Sequence, residues 1–401
     1  MRTRGLGMLG LLLAVGLCPV AHGQGEFALT RVPFSGEPPP VAAFASRYAH
    51  GQAERPPSVT ASPKVSAQAM YYVATFGETQ VAMLCDLQPE PRLFVDRNLD
   101  GDLSDEIPLA VRAARAGDRA TSDQPAFEPV TLTMPGGGTV DLQMHVYHQS
   151  AGFGYMEVTP ASYRAAEVEL AGVQYSVHVV DATLDGRYDN RFGAPGLQGT
   201  DWMAIDLNRD GRMQASRSGP SEVFPLPHMV RVGEAHYEFE FAPDGSSVRI
   251  AEAAPEIGTL AIDGDNAQLT LWSDSGVHVV TSAESPVSLP SGNYRTVEVL
   301  LSRQKGNETW TLSAPGDAGG LADIRIAAGK TTTVEAGEPL QCHIEPTGAG
   351  GQVYFGFSLS GRAGETYSAG ADRNGRRQGA PGFEILNEAG DKLAAGTFEY
   401  G

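Results

Sequence analysis

The sequence predicts a mainly β protein, built as two or three antiparallel β-sandwich-type domains with acidic loops inserted between strands. Short runs rich in Val, Thr, Tyr and Phe recur along 401 residues, Gly (48) and Pro (27) punctuate them, and helix-forming stretches are scarce. A chain this long exceeds one typical core and is expected to divide.

Residues 1–23 read as a signal peptide. Arg2 and Arg4 form the basic start, Leu6 to Leu17 the apolar run, and Ala21-His22-Gly23 an approximate A-x-A cleavage site. The mature chain is then expected to begin near Gln24 and to be secreted or periplasmic. Leu17 stands before Cys18 where a lipoprotein signal wants a small residue, which argues against a lipid anchor. No later run approaches the ~18 apolar residues of a membrane span.

Residues 24–63 are Pro-rich, with Gly36-Glu37-Pro38-Pro39-Pro40 and Glu54 to Pro63, and are read as loop or linker with at most a short helix at Val41 to Tyr48. Residues 64–250 are the main β region. Tyr71 to Phe76 and Gln80 to Asp86 alternate as a hairpin, and Val130 to Thr133 with Thr139 to Tyr147 form another through Met134-Pro135-Gly136. Ala171 to Val180 and Thr200 to Leu207 are further strands, and His236 to Phe241 closes the region before the turn Pro243-Asp244-Gly245.

Residues 256–337 are expected to form a separate sandwich. Its strands are Gly258 to Ile262, Gln268 to Trp272, Val277 to Thr281, Val287 to Leu289, Tyr294 to Leu301 and Thr309 to Leu312. At its heart, Leu289-Pro290-Ser291-Gly292-Asn293-Tyr294 makes a turn from which Tyr294 returns to the core. This strand, L-P-x-G-x-Y, strand pattern resembles the prealbumin-like regulatory domain of carboxypeptidases, which implies an antiparallel sandwich. Residues 338–401 are the last β unit, with Cys342 to Ile344, Val353 to Leu359, Phe383 to Leu386 and a closing strand within Asp391 to Tyr400.

The charge is lopsided at −19, and removing Arg2 and Arg4 with the leader leaves 27 basic against 48 acidic residues, or −21. So negative a surface repels nucleic acid and anionic lipid. Cys85 and Cys342 remain, far apart and in different expected domains, and are read as two unpaired core-like thiols, with a long-range disulfide in an oxidising compartment as the alternative. Without a C-x-x-C there is no zinc ribbon or thioredoxin-type redox site.

The strongest signal is a repeat. Phe94 to Leu109 returns about 110 residues later as Ala204 to Leu226, so that D-x-N-x-D-G occurs as Asp96, Asn98, Asp100, Gly101 and as Asp206, Asn208, Asp210, Gly211. Both copies end in a glutamate, Glu106 and Glu222, with Pro-Leu after one or two intervening residues. A third, degenerate copy between them, read as a weaker site, has Asp181, Thr183, Asp185 and Gly186 at the same spacing, with Asp189 at its ninth position. Oxygen-bearing side chains at alternate positions let one tight loop aim several hard donors at a single point, and the glycine permits a sharp turn.

These loops resemble those of EF-hands and dockerin-type repeats over about 12 residues each, which implies bound Ca²⁺. Position 12, a bidentate Glu in an EF-hand, is Ile107 in the first copy and Arg217 in the second. The flanks, Arg92 to Val95 and Trp202 to Ile205, are strand-length, so no EF-hand helices bracket the loops. The expected ligands are Asp96, Asn98, Asp100, Asp105 and Glu106; Asp206, Asn208, Asp210 and Glu222; and Asp181, Thr183, Asp185 and Asp189. Asp102 and Arg212 would add main-chain carbonyls at position seven. The chain also resembles secreted bacterial multidomain proteins that carry such loops.

Catalytic patterns are sparse. There is no H-E-x-x-H and no G-x-S-x-G, and Gly329-Lys330-Thr331 lacks the spacing of a phosphate loop. Gly370 to Gly375 begins like an acidic loop, but Arg373, Arg376 and Arg377 crowd it. Trp202, Trp272 and Trp310 sit in strand-like apolar runs and read as core. Two functions stay open. One is a secreted calcium-binding protein with structural ions and a role in binding a carbohydrate or protein surface. The other is a secreted hydrolase on polysaccharide or peptide, in which calcium-stabilised loops support a cleft.

Overall fold

A computed structural model describes residues 25–34, 40–42, 45–113, 124–150, 153–192, 199–215, 221–315, 319–349, 352–367 and 370–398. The leader and Arg217 lie outside the described residues. Among those described, regular structure is almost entirely strand, with two single-turn 3₁₀ helices at Pro40–Ala42 and Gly319–Leu321. The mainly β expectation therefore holds, and no helix is long and apolar enough to cross a membrane.

Seven antiparallel strands form the first sheet, in the order Arg92–Val95, Thr79–Asp86, Met70–Phe76, Arg47–Gln52, Phe153–Pro160, Thr139–Ser150 and Val130–Thr133. Alternation decides its faces. In Met70–Phe76 residues 70, 72, 74 and 76 are buried, and the others are half-buried or exposed. Met83, Leu93 and Val95 from one end share a core with Leu132, Val140 and Leu142 from the other, so the sheet curls over its own interior.

A five-stranded sheet follows, in the order Val223–Pro225, Trp202–Ile205, Val173–Val180, Ser162–Leu170 and Thr30–Pro33. It packs on a four-stranded sheet of Gly25–Ala28, Ser247–Ala253, Ala235–Phe241 and Met229–Val232. Val177, Val179, Met203 and Ile205 from the first meet Tyr237, Phe239, Val248 and Ile250 from the second in one core, as in a β-sandwich.

The Pro-rich segment departs from its expectation. Gly25–Ala28 pairs with Ser247–Ala253, Thr30–Pro33 with Ser162–Leu170, and Arg47–Gln52 with two strands of the first sheet. The region read as linker thus supplies strands to three sheets. Where at most a short helix is expected, the described residues hold a 3₁₀ turn at Pro40–Ala42 and the start of the strand Arg47–Gln52. Proline restricts the local backbone, yet each of these strands lies clear of the Pro38-Pro39-Pro40 cluster.

Residues 257–335 supply strands to two sheets that share one core, and that core and one of the sheets also take in residues beyond 337. Ile257–Asp263 pairs antiparallel with Val287–Pro290 and parallel with Thr331–Glu335. It faces a sheet ordered Gly276–Thr281, Ala267–Ser273, Gly292–Lys305, Glu308–Pro315, Asp372–Arg373 and Arg376–Arg377, with Asp323–Ile326 beside Gly292–Lys305. Tyr294 does return to the core, where its hydroxyl donates to the Pro290 carbonyl at 2.6 Å. Gln341–Ala349, Gln352–Ser360 and Thr366–Tyr367 form a small sheet, and Gly382–Leu386 pairs with Lys392–Thr397. Tyr400 lies outside the described residues. Neither cysteine forms a disulfide, and only Cys85 is buried as a core thiol would be, whereas Cys342 is exposed.

Candidate metal centres

All three acidic loops leave strand ends: the first follows Arg92–Val95, the Asp181 loop follows Val173–Val180, and the Asp206 loop follows Trp202–Ile205. The last two strands are adjacent and antiparallel. Behind their loops, Val41, Ala45, Val180, Ala182, Trp202, Met213 and Val223 form a small apolar cluster.

The loops share one backbone. At the fourth position Leu99, Leu184 and Arg209 have φ of 61°, 60° and 60°, and at the sixth Gly101, Gly186 and Gly211 have 78°, 81° and 78°. In each, the first aspartate accepts the fifth residue's N–H on one oxygen and the sixth residue's on the other. The distances are 3.2 and 3.0 Å at Asp96, 3.3 and 2.7 Å at Asp181, and 3.2 and 2.9 Å at Asp206. The fifth-position aspartates accept the N–H of position seven, at 2.7 Å for Asp100, 3.0 Å for Asp185 and 2.8 Å for Asp210. The first aspartate of every loop is buried, whereas Asp100 and Asp210 face solvent.

Each loop is also clamped by an acid from outside its motif. Glu106 accepts the N–H and the Nε–H of Arg97, both at 2.7 Å. Glu222 folds back across the insert and accepts the N–H of Asn208 at 3.0 Å and of Gln214 at 3.1 Å. Asp201 accepts the N–H of Ala182 at 3.1 Å and of Asn190 at 3.0 Å. The motif reading missed Asp201, because it stands 20 residues after Asp181 and outside any loop spacing. Its position directly before Trp202–Ile205 is the only sequence cue.

The remaining expected ligands are placed as follows. Asn98 and Asn208 turn their side-chain oxygens to the N–H of Asp100 and Asp210, at 3.3 and 2.8 Å. Asp102 accepts the Ser104 N–H and hydroxyl with its side chain, and Asp105 is exposed. Thr183 donates to Asp181 at 3.0 Å. Asp189 is held by Arg187 at 3.0 and 2.7 Å, while the neighbouring Asn190 enters the loop. Its Nδ2 lies 2.9 Å from the Thr183 hydroxyl oxygen and 3.2 and 3.1 Å from the two oxygens of Asp185, so three oxygens converge on one atom.

Burial sets the electrostatics. It raises the Asp96 carboxyl above its ordinary value, and it pushes Asp181 up to about 7 with the Asp185 charge adding to the effect. Asp201, wholly enclosed, is raised well above the usual range by burial and then by Asp181. Among the described residues, no three His, Cys, Asp or Glu side chains form a metal-holding group. A cation in any loop would therefore draw on Asn98, Thr183 or Asn208 and on main-chain carbonyls as well as on aspartate. Such all-oxygen sets favour hard cations.

A cleft of about 990 Å³ opens beside the Asp206 loop, lined in part by Glu167, Ser176, His178, Asp206, Arg209 and Arg212. His178 Nε2 lies 3.4 Å from the Ser176 hydroxyl, its Nδ1 has no hydrogen-bond partner, and burial pushes the ring down to about 4. Of the tryptophans, Trp202 is buried and meets the half-buried Trp272 edge-on at 5.6 Å, whereas Trp310 reaches the surface. No protein-family model, curated protein or solved structure matches the chain.

Proposed function

We propose that the protein is an exported, calcium-binding β protein whose ions rigidify three strand-end loops, and that it serves an extracellular binding role. The observation that carries this is the common loop backbone, in which Leu99, Leu184 and Arg209, none of them glycine, all take φ near +60°. A positive φ costs a non-glycine residue on the order of 1–3 kcal/mol and persists where the surroundings over-determine it, as at ligand clamps. A cation that binds the folded loop alone would offset that strain by mass action. Asp96, Asn98 and Asp100, then Asp181, Thr183 and Asp185, then Asp206, Asn208 and Asp210 would hold the ions. With strands and no helices at the flanks, the ions would staple the fold and drive no helix-opening switch.

The Asp181 loop, the weakest of the three by motif, has the most enclosed acids. Two buried carboxylates at Asp181 and Asp201 repel one another unless protonated or matched by a positive charge. A divalent ion would supply that charge. The test is calcium titration of the stripped protein beside Asp96→Asn, Asp181→Asn and Asp206→Asn variants. Each variant should lose one site, and unchanged binding in all three would overturn the proposal.

A second reading, hydrolysis in the cleft beside the Asp206 loop, is favoured by the Ser176–His178 pair. A serine nucleophile needs a base oriented through its second nitrogen. His178 Nδ1 has no such partner, and a ring with a value of about 4 is a weak base. Turnover of chromogenic ester or glycoside substrates, abolished by His178→Ala, would establish that reading over the first.

A further inference from the structure

A protein of net charge −19 gathers cations at one sheet edge. Arg303 pairs directly with Trp310, Trp310 with Arg373, and Arg373 with Arg376, across the strands Gly292–Lys305, Glu308–Pro315, Asp372–Arg373 and Arg376–Arg377. Directly paired residues project from the same face of a sheet. The four side chains therefore stand in one row, three strand spacings or ~14 Å long. The Arg373 guanidinium lies over the indole, 5.7 Å from its centroid. Lys305, two residues beyond Arg303, shares the face, and a cleft of about 530 Å³ is lined by Arg303, Gln304, Lys305 and Trp310.

Acidic neighbours position this row without neutralising it. Glu308 bonds Arg373 at 3.3 Å and accepts the Trp310 indole N–H at 3.2 Å, and Glu338 bonds Arg303 at 3.4 Å. Lys305 and Arg376 form no ion pair among the described residues. Charged edge strands often serve only to block edge-to-edge pairing. That purpose requires neither an indole set between two guanidiniums nor a cleft beside it.

We infer that this row is a binding subsite for an acidic polysaccharide of the uronate type, with a sugar face on Trp310 and carboxylates on the flanking guanidiniums. Guanidinium matches carboxylate as a planar donor fork. The aromatic face offers the C–H side of a sugar a flat apolar surface. Cations two strand spacings apart on either side of the indole, with a third one spacing further, suit a linear polymer that carries a carboxylate on every sugar. The alternative polyanion, nucleic acid, has a far denser charge and would be repelled by the rest of this acidic surface. The subsite lies in the second sandwich and rests on none of the three loops.

Titration calorimetry of the full chain with trigalacturonate, maltotriose and a short oligothymidylate tests the inference. Trigalacturonate should bind, and its affinity should fall about tenfold or more in the exposed-side-chain variant Arg303→Gln/Arg376→Gln and in Trp310→Ala. Maltotriose and the oligonucleotide should bind at least tenfold more weakly. The Asp96→Asn/Asp206→Asn variant should bind trigalacturonate as the parent does, which separates this subsite from the calcium loops. Absence of trigalacturonate binding by folded protein, unchanged affinity in the double arginine variant, or tighter binding of the oligonucleotide would overturn it.

Discussion

The wholly buried carboxylate of Asp201 accepts the main-chain N–H of Ala182 at 3.1 Å, one residue along from the equally enclosed Asp181. Asp181 is pushed up to about 7, and Asp201 is raised well above the ordinary value. Between about pH 4 and 7 the unfolded chain releases these protons while the folded chain keeps them. In calcium-free buffer stability should therefore fall as pH rises through that window. Thermal midpoints measured in EDTA should show the fall, Asp201→Asn should flatten it, and millimolar calcium should reverse it in the parent protein.

Gly101 and Gly211 share φ of 78° but differ in surroundings. A Cβ at Gly101 would come within 2.5 Å of the Ser58 carbonyl oxygen, whereas one at Gly211 would meet nothing within 4 Å. Gly211→Ala should cost about 1–2 kcal/mol, the backbone term alone. Gly101→Ala should cost about 2–4 kcal/mol, because the carbonyl must also move. Urea unfolding of both variants measures the difference, and equal losses would contradict the packing described for Gly101.

His278 stacks edge-on against Tyr294 at 5.5 Å, with its Nε2 3.0 Å from the Ser275 hydroxyl. Burial, aided by the charges of His236 and Arg231 and opposed by a hydrogen bond with the Ser275 main chain, pushes the ring down to about 4. The folded ring stays neutral while an unfolded histidine takes up a proton below about pH 6.5. Stability contributed by this site is thus full above pH 6.5 and is lost as pH falls toward 4. Urea midpoints at stepped pH should be less acid-sensitive in His278→Gln than in the parent.

Tyr294 crosses its turn to donate to the Pro290 carbonyl and is almost fully buried. Tyr294→Phe keeps the ring and removes the donor, so it should cost about 1–2 kcal/mol. A calorimetric melt would read this as a lowered midpoint for the second sandwich with no effect on calcium binding.

Much of the strand layout was legible because alternation reports burial directly. Tyr71 to Phe76, Gln80 to Asp86 and Val130 to Thr133 fall within a residue or two of the observed strands. Sheet partners were not legible, since Gly25–Ala28 finds Ser247–Ala253 more than 200 residues away and no local pattern encodes such pairing. The loop motif located the first aspartates and glycines, where backbone geometry demands those residue types. It ranked the Asp181 loop lowest because it counts loop side chains, whereas the enclosure there comes from Asp201 and Asn190, brought in by tertiary contact. The Arg303–Trp310–Arg373–Arg376 row was equally hidden, as its members are brought together only by sheet register.

Calcium titration of EDTA-stripped protein by calorimetry, beside an Asp96→Asn/Asp206→Asn variant, tests the central claim most directly. The parent should bind about one ion per loop, with dissociation constants near 10⁻⁴–10⁻³ M, and the variant should lose two of those sites. Indistinguishable heats from parent and variant, both correctly folded, would contradict it.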